Sequence, residues 1–486
     1  MKVLLANPPW RREGRLGVRA GSRWAFTMPA GTGSNVPPYV PFPFFLAYAA
    51  AVLEQIDVNV RLVDAIAEGM DTESFLEAVT DFDPALVLLE TSTPSIYSDL
   101  ALSREIKAQV PGVRLALSGP HVSALPVQTL EMAPQVDFIL VGEYEYTLRD
   151  LVACLDTGGN LGDVPGLVWR DAEGVVRVNP GRPLIENLDE LPWPARHLLP
   201  MHSYRDDFAG LPMPGLQMWA SRGCPFRCIF CVWPKVMYGG QTYRVRDPVD
   251  VVDEMEQTVQ RYDLCSVSFD DDTFDIGKPR ILKLCNEIKR RNLGLPWTAM
   301  ARADTADREM LEAMAEAGLY AIKYGVESGV QELVDAADKS LDLRRVKETV
   351  RITRDLGVKV HLTFTLGLPG ETEETIQRTI DFALEVDPDS VQFSIATPYP
   401  GTTYYDMAQE SGMLVAESWV DFDGADRAVL RTEALSPGKL EAALRRARRQ
   451  WRWRQFRRNF WSRKDYYLRE GLRNPGRAIE FLRGNL

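Results

Sequence analysis

The chain has 486 residues, 45% of them hydrophobic, which suffices for about three domains with buried cores. This composition excludes an intrinsically disordered protein, and six cysteines are too few for a disulfide-stapled secreted fold of this length. The formal net charge of −12 is uneven, because residues 439–486 carry 15 basic and 4 acidic side chains whereas the preceding chain is strongly acidic.

The N-terminal sequence indicates a protein of the reducing cytoplasm. Asn7-Pro8-Pro9 interrupts the first apolar stretch before it can form the core of a signal peptide. The longest apolar run, residues 42–53, is shorter than the roughly 20 residues that span a bilayer. We therefore expect no transmembrane helix.

The first 165 residues alternate apolar strands with helices. The predicted strands are 3–6, 58–63, 85–89, 114–118 and 138–141, and the predicted helices are 43–55, 72–79 and 98–109. This order predicts an α/β domain with a doubly wound parallel sheet, Rossmann-like or flavodoxin-like. Such sheets bind ligands in the loops that follow the strands, here residues 7–10, 90–94, 119–122 and 142–146.

A linker rich in proline and acidic residues is predicted at 166–212, and a second α/β domain at 213–410. Six further strands are predicted there, at 217–220, 266–269, 297–301, 321–326, 360–366 and 390–395. Strands and helices repeating in this way indicate a partial (β/α)6 barrel, whose chemistry lies at the carboxyl ends of its strands. Residues 411–486 are predicted as a C-terminal helical, basic segment.

Three of the six cysteines stand directly after the first barrel strand, in the spacing CxxxCxxC. They are Cys224, Cys228 and Cys231, and we expect them on a loop. Pro225 and two nearby arginines disfavour a packed core element, and a structural zinc site lacks a fourth ligand at finger spacing. Thiolates favour iron–sulfur clusters, and three ligands leave one iron of a cubane open.

This loop resembles that of the radical S-adenosylmethionine (SAM) superfamily, with the aromatic Phe230 before the last cysteine. The resemblance implies a 4Fe–4S cluster held by the three cysteines, whose open iron binds SAM and whose electron cleaves it to a 5′-deoxyadenosyl radical. It also implies SAM contacts at the ends of the following strands. The candidates are Phe230, Asp270, Asp271, Arg302, Glu327 and Gly367, and the sequence leaves open which aspartate contacts SAM. Cys154, Cys265 and Cys285 share no spacing, so we expect buried structural thiols and no second cluster.

The N-terminal domain resembles the cobalamin-binding domain of cobalamin-dependent radical SAM enzymes. The resemblance implies cobalamin contacts at the sheet edge, from Asn7, Pro8, Thr91, Ser92, Gly119, His121, Gly142 and Glu143. The DxHxxG motif that supplies a lower cobalt ligand is absent, because Ile66 stands at the histidine position of Asp64-Ala65-Ile66-Ala67-Glu68-Gly69. We therefore expect base-off cobalamin without a histidine ligand. The alternative is a flavodoxin-like domain that binds another nucleotide or nothing.

Together these features are interpreted as a radical methyltransferase that acts on an unactivated carbon. The family resemblance implies that one SAM yields the radical and that a second supplies the methyl group through methylcobalamin. One alternative is a non-methylating member of the class, such as an oxidative cyclase of tetrapyrroles or a rearranging enzyme. Another is an iron–sulfur electron-transfer or sensor protein.

The partners expected from the sequence are a small-molecule substrate and an external electron donor of the flavodoxin or ferredoxin type, with the chain a monomer. The C-terminal residues 440–461 are predicted as a helix with an aromatic stripe at Trp453, Phe456 and Phe460. We interpret it as a cap on the barrel. A peripheral contact with an anionic membrane, a polyanionic substrate and a lid over the active site are alternatives, and no nucleic acid is expected because no recognised module is present.

Overall fold

A seven-stranded sheet forms the N-terminal unit of the computed structural model, which describes residues 1–29, 36–206, 208–424 and 426–460. Its elements in chain order are β1 (Lys2–Asn7), β2 (Arg11–Arg12), β3 (Arg15–Val18), β4 (Phe26–Pro29), α1 (Phe44–Glu54), β5 (Asn59–Asp64), α2 (Thr72–Phe82), β6 (Leu86–Glu90), α3 (Ile96–Gln109), β7 (Arg114–Ser118), α4 (Pro120–Ala124), α5 (Pro126–Met132), β8 (Phe138–Leu140), α6 (Glu145–Thr157), β9 (Leu167–Arg170) and β10 (Val176–Val178).

The strand order of this sheet is β10-β9-β8-β7-β6-β1-β5. The strands β5, β1, β6, β7 and β8 are parallel, which is the flavodoxin-like order and confirms the predicted fold class. Its topological switch point lies between β1 and β6. The prediction that the linker begins at residue 166 is wrong, because β9 and β10 extend the sheet antiparallel through Val178.

A small antiparallel sheet of β2, β3 and β4 follows β1 and was not predicted. A Cβ on Gly17 of β3 would lie only 2.3 Å from the Trp10 ring, so the tight packing of this sheet requires glycine there. The strands are short and rich in arginine, and they lack the apolar alternation that identifies a strand in sequence.

The second unit contains a six-stranded parallel sheet of order β11-β14-β15-β16-β17-β18. Its edge strands β11 and β18 are not paired with each other, which makes the barrel partial and leaves an open side. The elements are β11 (Gly215–Met218), β12 (Ser221–Cys224), β13 (Thr242–Val245), α7 (Pro248–Tyr262), β14 (Ser266–Phe269), α8 (Lys278–Arg291), β15 (Trp297–Ala301), α9 (Arg308–Glu316), β16 (Leu319–Glu327), α10 (Gln331–Ala336), α11 (Leu343–Asp355), β17 (Lys359–Leu366), α12 (Glu373–Val386), β18 (Ser390–Ile395), α13 (Thr403–Glu410) and α14 (Pro437–Phe460).

Helix α1 lies between the two units. Its residues from Phe44 to Leu53 are all buried, which explains an apolar sequence without an amphipathic period. On one side the helix packs on β1, β5 and α6, and on the other the Phe44 ring stacks on Trp219 at 4.2 Å. The longest apolar run of the chain is therefore an interdomain helix, and no helix of the described residues is long and apolar enough to cross a membrane.

The described part of the C-terminal segment contains one α-helix, α14, which begins at Pro437 and runs to Phe460. The prediction of a helical segment from residue 411 is wrong, because residues 411–436 are mostly irregular and contain one short 3₁₀ turn, Trp419–Asp421. Helix α14 packs on β18 and α12. Its buried face is formed by Leu440, Ala443, Leu444, Ala447 and Trp451, whereas Trp453 and Phe456 of the predicted aromatic stripe are half-buried and stack on each other. Residues 461–486 lie outside the described residues.

Candidate functional site

The three clustered cysteines lie at the carboxyl end of the first barrel strand. Cys224 ends the short strand β12, which pairs with β13, so this part of the predicted loop is a hairpin. Gly223 has φ +88°, and a Cβ there would lie 2.3 Å from the carbonyl oxygen of Thr242, so only glycine fits. The Cys231 amide donates to the Cys228 carbonyl at 3.2 Å.

The thiols of this loop are surrounded by cations. Burial raises the pKa of Cys228 and of Cys231 above the ordinary thiol value. Lys339 and Arg302 act in the opposite direction on Cys228, as Arg23 does on Cys231. Nearby positive charges reduce the cost of burying thiolates and of an anionic cluster bound to them.

This donor set suits an iron–sulfur cluster whose fourth iron has no protein ligand. All six cysteines are free thiols. Among the described residues, no three His, Cys, Asp or Glu side chains converge closely enough to hold a single ion. A cubane needs no such convergence, because each thiolate binds a different iron.

The aspartate run after β14 holds the cysteine loop in place. The side chain of Asp271, a predicted SAM contact, is fully buried and accepts from the Ala220 amide at 3.2 Å and from the Ser221 hydroxyl. Asp272 accepts from the Gly223 amide at 2.9 Å. These two carboxylates position the loop through its backbone.

Asp270 is the other predicted SAM contact of the run. It lies beside Arg23, with 3.7 Å between guanidinium and carboxylate. Burial raises its pKa to about 7, and Arg23 opposes this rise. Arg23 also pairs with Asp272 at 2.9 Å, so one arginine from the N-terminal unit neutralises the edge of the aspartate run.

The next strands carry the other predicted SAM contacts, of which Arg302 lies close to the cysteine loop. Arg302 donates to Asp304 at 2.8 Å, and its guanidinium lies 3.6 Å from the centroid of the Phe226 ring within the cysteine loop. Gly367 has φ +94°, and its amide and carbonyl are bound by Glu371 and Tyr404. Both predicted residues are therefore held firmly at the barrel edge.

Glu327 ends β16 with φ +71°, an unusual conformation for a non-glycine residue that is found at functional sites. Its carboxylate accepts from Lys339 at 3.0 Å and from the Thr365 hydroxyl at 2.7 Å. Lys339 also lies 6.0 Å from the centroid of the half-buried Phe230 ring. Sequence reasoning missed Lys339, because it stands alone in a loop without a motif.

The predicted cobalamin residues lie at the carboxyl edge of the N-terminal sheet. Asn7 donates to Asp64 at 2.8 Å and accepts from Arg19 at 3.0 Å, and the Arg19 guanidinium also binds the Pro8 carbonyl. The Thr91 hydroxyl donates to the Ser118 carbonyl at 2.9 Å. Four more predicted residues share this edge or its loops, namely Ser92, Gly119, His121 and Gly142.

His121 is buried beside the C-terminal segment. Its Nδ1 lies 3.3 Å from the Thr93 hydroxyl, and its ring packs edge-on against Trp419 at 5.2 Å. Burial lowers its pKa to about 4, so the imidazole is neutral at pH 7. Nε2 is buried and has no hydrogen-bond partner among the described residues.

Glu143 belongs to the interface between the two units. Its carboxylate, a predicted cobalamin contact, accepts from Arg222 at 2.7 Å and from Arg244 at 2.8 Å. It also accepts from the Ile185 amide at 3.0 Å. Although burial opposes it, the two arginines hold the pKa of Glu143 below its ordinary value. Arg222 stands two residues before Cys224, so the cysteine loop is anchored directly on the N-terminal sheet.

Segment 19–25 occupies the space between the sheet edge and the barrel. It leaves a cavity of about 30 Å³ that Thr91, Ser92 and Trp233 also line. Arg19 pairs with Asp99 at 2.7 Å in the N-terminal unit. This cavity holds little more than one water molecule.

Glu90 at the end of β6 makes stability depend on pH. Burial raises its pKa to about 7, although the Tyr144 hydroxyl at 3.0 Å and Arg19 oppose the rise. The folded state therefore favours the protonated acid, and its stability falls as pH rises from about 4.5 through about 7.

Glu90→Gln mimics the neutral form. We expect it to raise the free energy of unfolding by on the order of 2 kcal/mol at about pH 8.5 and to leave it unchanged at about pH 4.5. Urea unfolding at both pH values checks this, and an equal effect at both would contradict it.

Two family models match the chain. The model described as the radical SAM superfamily matches residues 220–383, which run from the cysteine loop into α12. The model described as the B12 binding domain matches residues 35–152, which run from α1 into α6. The two matched ranges contain the cysteine loop and most of the parallel sheet edge.

Curated relatives and a solved structure extend the similarity over most of the chain. An uncharacterized methyltransferase of Pyrococcus horikoshii is 32% identical over 405 residues, covering 83% of this chain and 86% of the relative. The anaerobic magnesium-protoporphyrin IX monomethyl ester cyclase of Rubrivivax gelatinosus is 29% identical over 386 residues, covering 76% of this chain and 66% of that protein. The radical S-adenosylmethionine methyltransferase TsrM from Kitasatospora setae, with cobalamin and a 4Fe–4S cluster bound, superimposes with a TM-score of 0.68 at 19% identity. That match covers 92% of this chain and 87% of TsrM, and at this identity it shows the fold.

Proposed function

As the chain belongs to the cobalamin-dependent radical SAM enzymes, we propose that it is a methyltransferase that moves a methyl group from SAM to an unactivated carbon of a small-molecule substrate. The observation that carries the proposal is the anchoring of the cysteine loop on the B12-binding sheet. Arg222 at the start of this loop lies 2.7 Å from carboxylate oxygens of both Glu143 and Glu145. The loop and the sheet edge that would hold the two cofactors are therefore fixed relative to each other.

In this proposal the cofactors supply the reactive groups, and the protein positions them and excludes water. Bound to Cys224, Cys228 and Cys231, the cluster with SAM supplies a carbon-centred radical, and cobalamin at the sheet edge supplies the methyl group. The chain holds the cysteine loop through Asp271 and Asp272 and keeps the Lys339–Glu327 pair beside it. These groups are buried or nearly so, which excludes water from the neighbourhood of a reactive radical.

Ring closure without methyl transfer is the second candidate function. It is supported by the similarity to the anaerobic magnesium-protoporphyrin IX monomethyl ester cyclase. The chain spans 86% of the methyltransferase relative but only 66% of the cyclase, so the match in length favours methyl transfer. Screening candidate substrates for 5′-deoxyadenosine release tests both. Methyl transfer predicts a product heavier by one CH2 unit, and a product that lacks this gain would favour the cyclase.

We further propose that cobalamin binds base-off and without a histidine ligand. The support is that Ile66 stands where the DxHxxG motif has its histidine, and that the ring of His121 is buried edge-on against Trp419 with Nδ1 3.3 Å from the Thr93 hydroxyl. His121→Ala should leave the electron paramagnetic resonance spectrum of the bound Co(II) form unchanged, without the nitrogen hyperfine splitting of an axial imidazole. A splitting present in the unaltered protein and absent from the variant would contradict this assignment.

The remaining proposals concern the surroundings of the enzyme. An external flavodoxin-type or ferredoxin-type protein supplies electrons to the cluster. The chain acts as a monomer, and it works in the cytoplasm. The six free cysteines support a reducing compartment.

A further inference from the structure

An arginine groove lies between the free edge of β18 and helix α14. Its cavity has a volume of about 900 Å³. Its outer wall is formed by α14, including Arg445, Arg446, Arg449 and Arg452, and none of the described residues that line it is acidic. His361 of β17 and Gln392 of β18 lie in its inner wall.

Helix α14 runs along the edge strand and covers part of its unpaired backbone. The Arg448 guanidinium donates to the Phe393 carbonyl at 3.1 Å, and Arg458 donates to the Asp389 carbonyl at 3.3 Å. Arg454 and Arg458 also pair with Asp387, at 3.1 and 3.2 Å. These arginines secure the helix on the barrel, which accounts for part of the basic sequence by structure alone.

The four groove arginines lack such partners. Arg445, Arg446, Arg449 and Arg452 form no ion pair with any residue that the structure describes, although Arg446 is near enough to Glu373 to help lower the pKa of that carboxyl. The Nε of Arg446 is buried and has no hydrogen-bond partner among the described residues, and the same holds for Nε2 of His361. A concave surface that presents guanidinium groups without ion pairs, together with buried nitrogen atoms that lack a hydrogen-bond partner, is suited to bind an anion.

The groove leads toward the proposed reaction site. His361 and Thr365 lie on the same face of β17, and the Thr365 hydroxyl donates to Glu327 at 2.7 Å. His361 and Thr365 are four residues apart, which corresponds to about 13 Å along the strand. At the other end, the N-terminal unit covers the barrel through the Phe44–Trp219 stack and the Arg222 ion pairs. The strand face that carries His361 at the groove therefore continues along β17 to Thr365 and its partner Glu327.

We propose that the arginine groove binds the anionic group, a phosphate or a carboxylate, of the methyl-accepting substrate, while the rest of that molecule extends along β17 into the barrel. This assignment rests on the proposed function, which requires a substrate beside the cluster. It assigns to residues 445–452 of the basic C-terminal helix a role in substrate selection in addition to covering the edge of the sheet.

Inorganic pyrophosphate is the probe that tests the groove. Isothermal titration calorimetry with the protein loaded with cluster and cobalamin should show binding that weakens about tenfold or more in Arg445→Glu/Arg449→Glu. The matched control is Arg104→Glu/Arg261→Glu, which makes the same change in net charge on exposed surfaces of α3 and α7 and should bind like the unaltered protein. Equal affinity in the groove variant, or an equal loss in the control, would overturn the proposal.

Vesicles distinguish a free anion from a lipid headgroup. Phosphatidylglycerol vesicles that displace pyrophosphate and no longer bind the groove variant would support the groove and assign its phosphate to a lipid substrate. Vesicle binding without any pyrophosphate binding would overturn the proposal in favour of a membrane-binding face. Both titrations are made without turnover, so a failure of methyl transfer and a failure of the groove give different results.

Discussion

Replacing Arg222 by methionine should lower the free energy of unfolding by about 3–5 kcal/mol, the usual cost of leaving buried charges without a partner. The Arg222 side chain is 2% exposed and lies 2.7 Å from Glu143 and from Glu145. Its guanidinium also lies over the Tyr48 and Trp219 rings, at 4.7 and 5.1 Å. Without it, two buried carboxylates at the domain interface lose their shared cation. Urea unfolding of the purified protein measures the loss.

Arg227→Met is the matched control within the same cysteine loop. The Arg227 side chain is 68% exposed, and its ion pair with Asp338 is 3.5 Å long. Exposed pairs of this kind contribute about 1 kcal/mol or less. If Arg222→Met were no more destabilising than Arg227→Met, the interface would not depend on the buried charge cluster.

Replacing any one of Cys224, Cys228 and Cys231 by alanine should abolish 5′-deoxyadenosine formation and lower the iron content of the reconstituted protein. Each substitution removes one of the three thiolates on which the cluster depends. Cobalamin binding should persist, because the parallel sheet edge is a separate set of loops. Iron analysis checks the loss of the cluster, absorption spectra check that cobalamin is still bound, and chromatography of SAM cleavage products checks the loss of 5′-deoxyadenosine.

Cys154→Ala supplies the control for these cysteine variants. Cys154 lies in α6, outside the cysteine loop, and it is partly buried among apolar neighbours of the core. Its removal should leave iron content and SAM cleavage unchanged. Undiminished SAM cleavage in Cys224→Ala would contradict the assignment of the cluster ligands.

The sequence predicted the strands of both sheets well where strands are apolar and buried. All six barrel strands and the five parallel strands of the N-terminal sheet were predicted within a few residues. The sequence did not predict the arginine-rich sheet of β2 to β4 or the hairpin of β12 and β13, because their short strands carry no alternating apolar pattern. Residues 411–436 were predicted as helical, but they form irregular contacts with the N-terminal unit, as between Trp419 and His121.

Spacing alone predicts the cysteine loop, whereas no spacing predicts the hydrogen-bond partners of single carboxylates. Asp270, Asp271 and Asp272 are chemically identical in sequence, and only the structure shows that Asp271 and Asp272 hold the cysteine loop whereas Asp270 lies beside Arg23. Glu143 follows a strand at the ligand edge, as a binding residue does, yet it pairs across the domain interface with Arg222 and Arg244. Contacts between residues far apart in the chain decide these roles, and no local pattern encodes them.

The central claim is that this chain transfers a methyl group from SAM to carbon. The most direct test is turnover of the protein loaded with cluster and cobalamin, using SAM whose methyl group is deuterated, followed by mass spectrometry and nuclear magnetic resonance of the product. The account predicts a product in which the intact deuterated methyl is bonded to carbon, together with 5′-deoxyadenosine. A product that forms with 5′-deoxyadenosine but without the labelled methyl would contradict it.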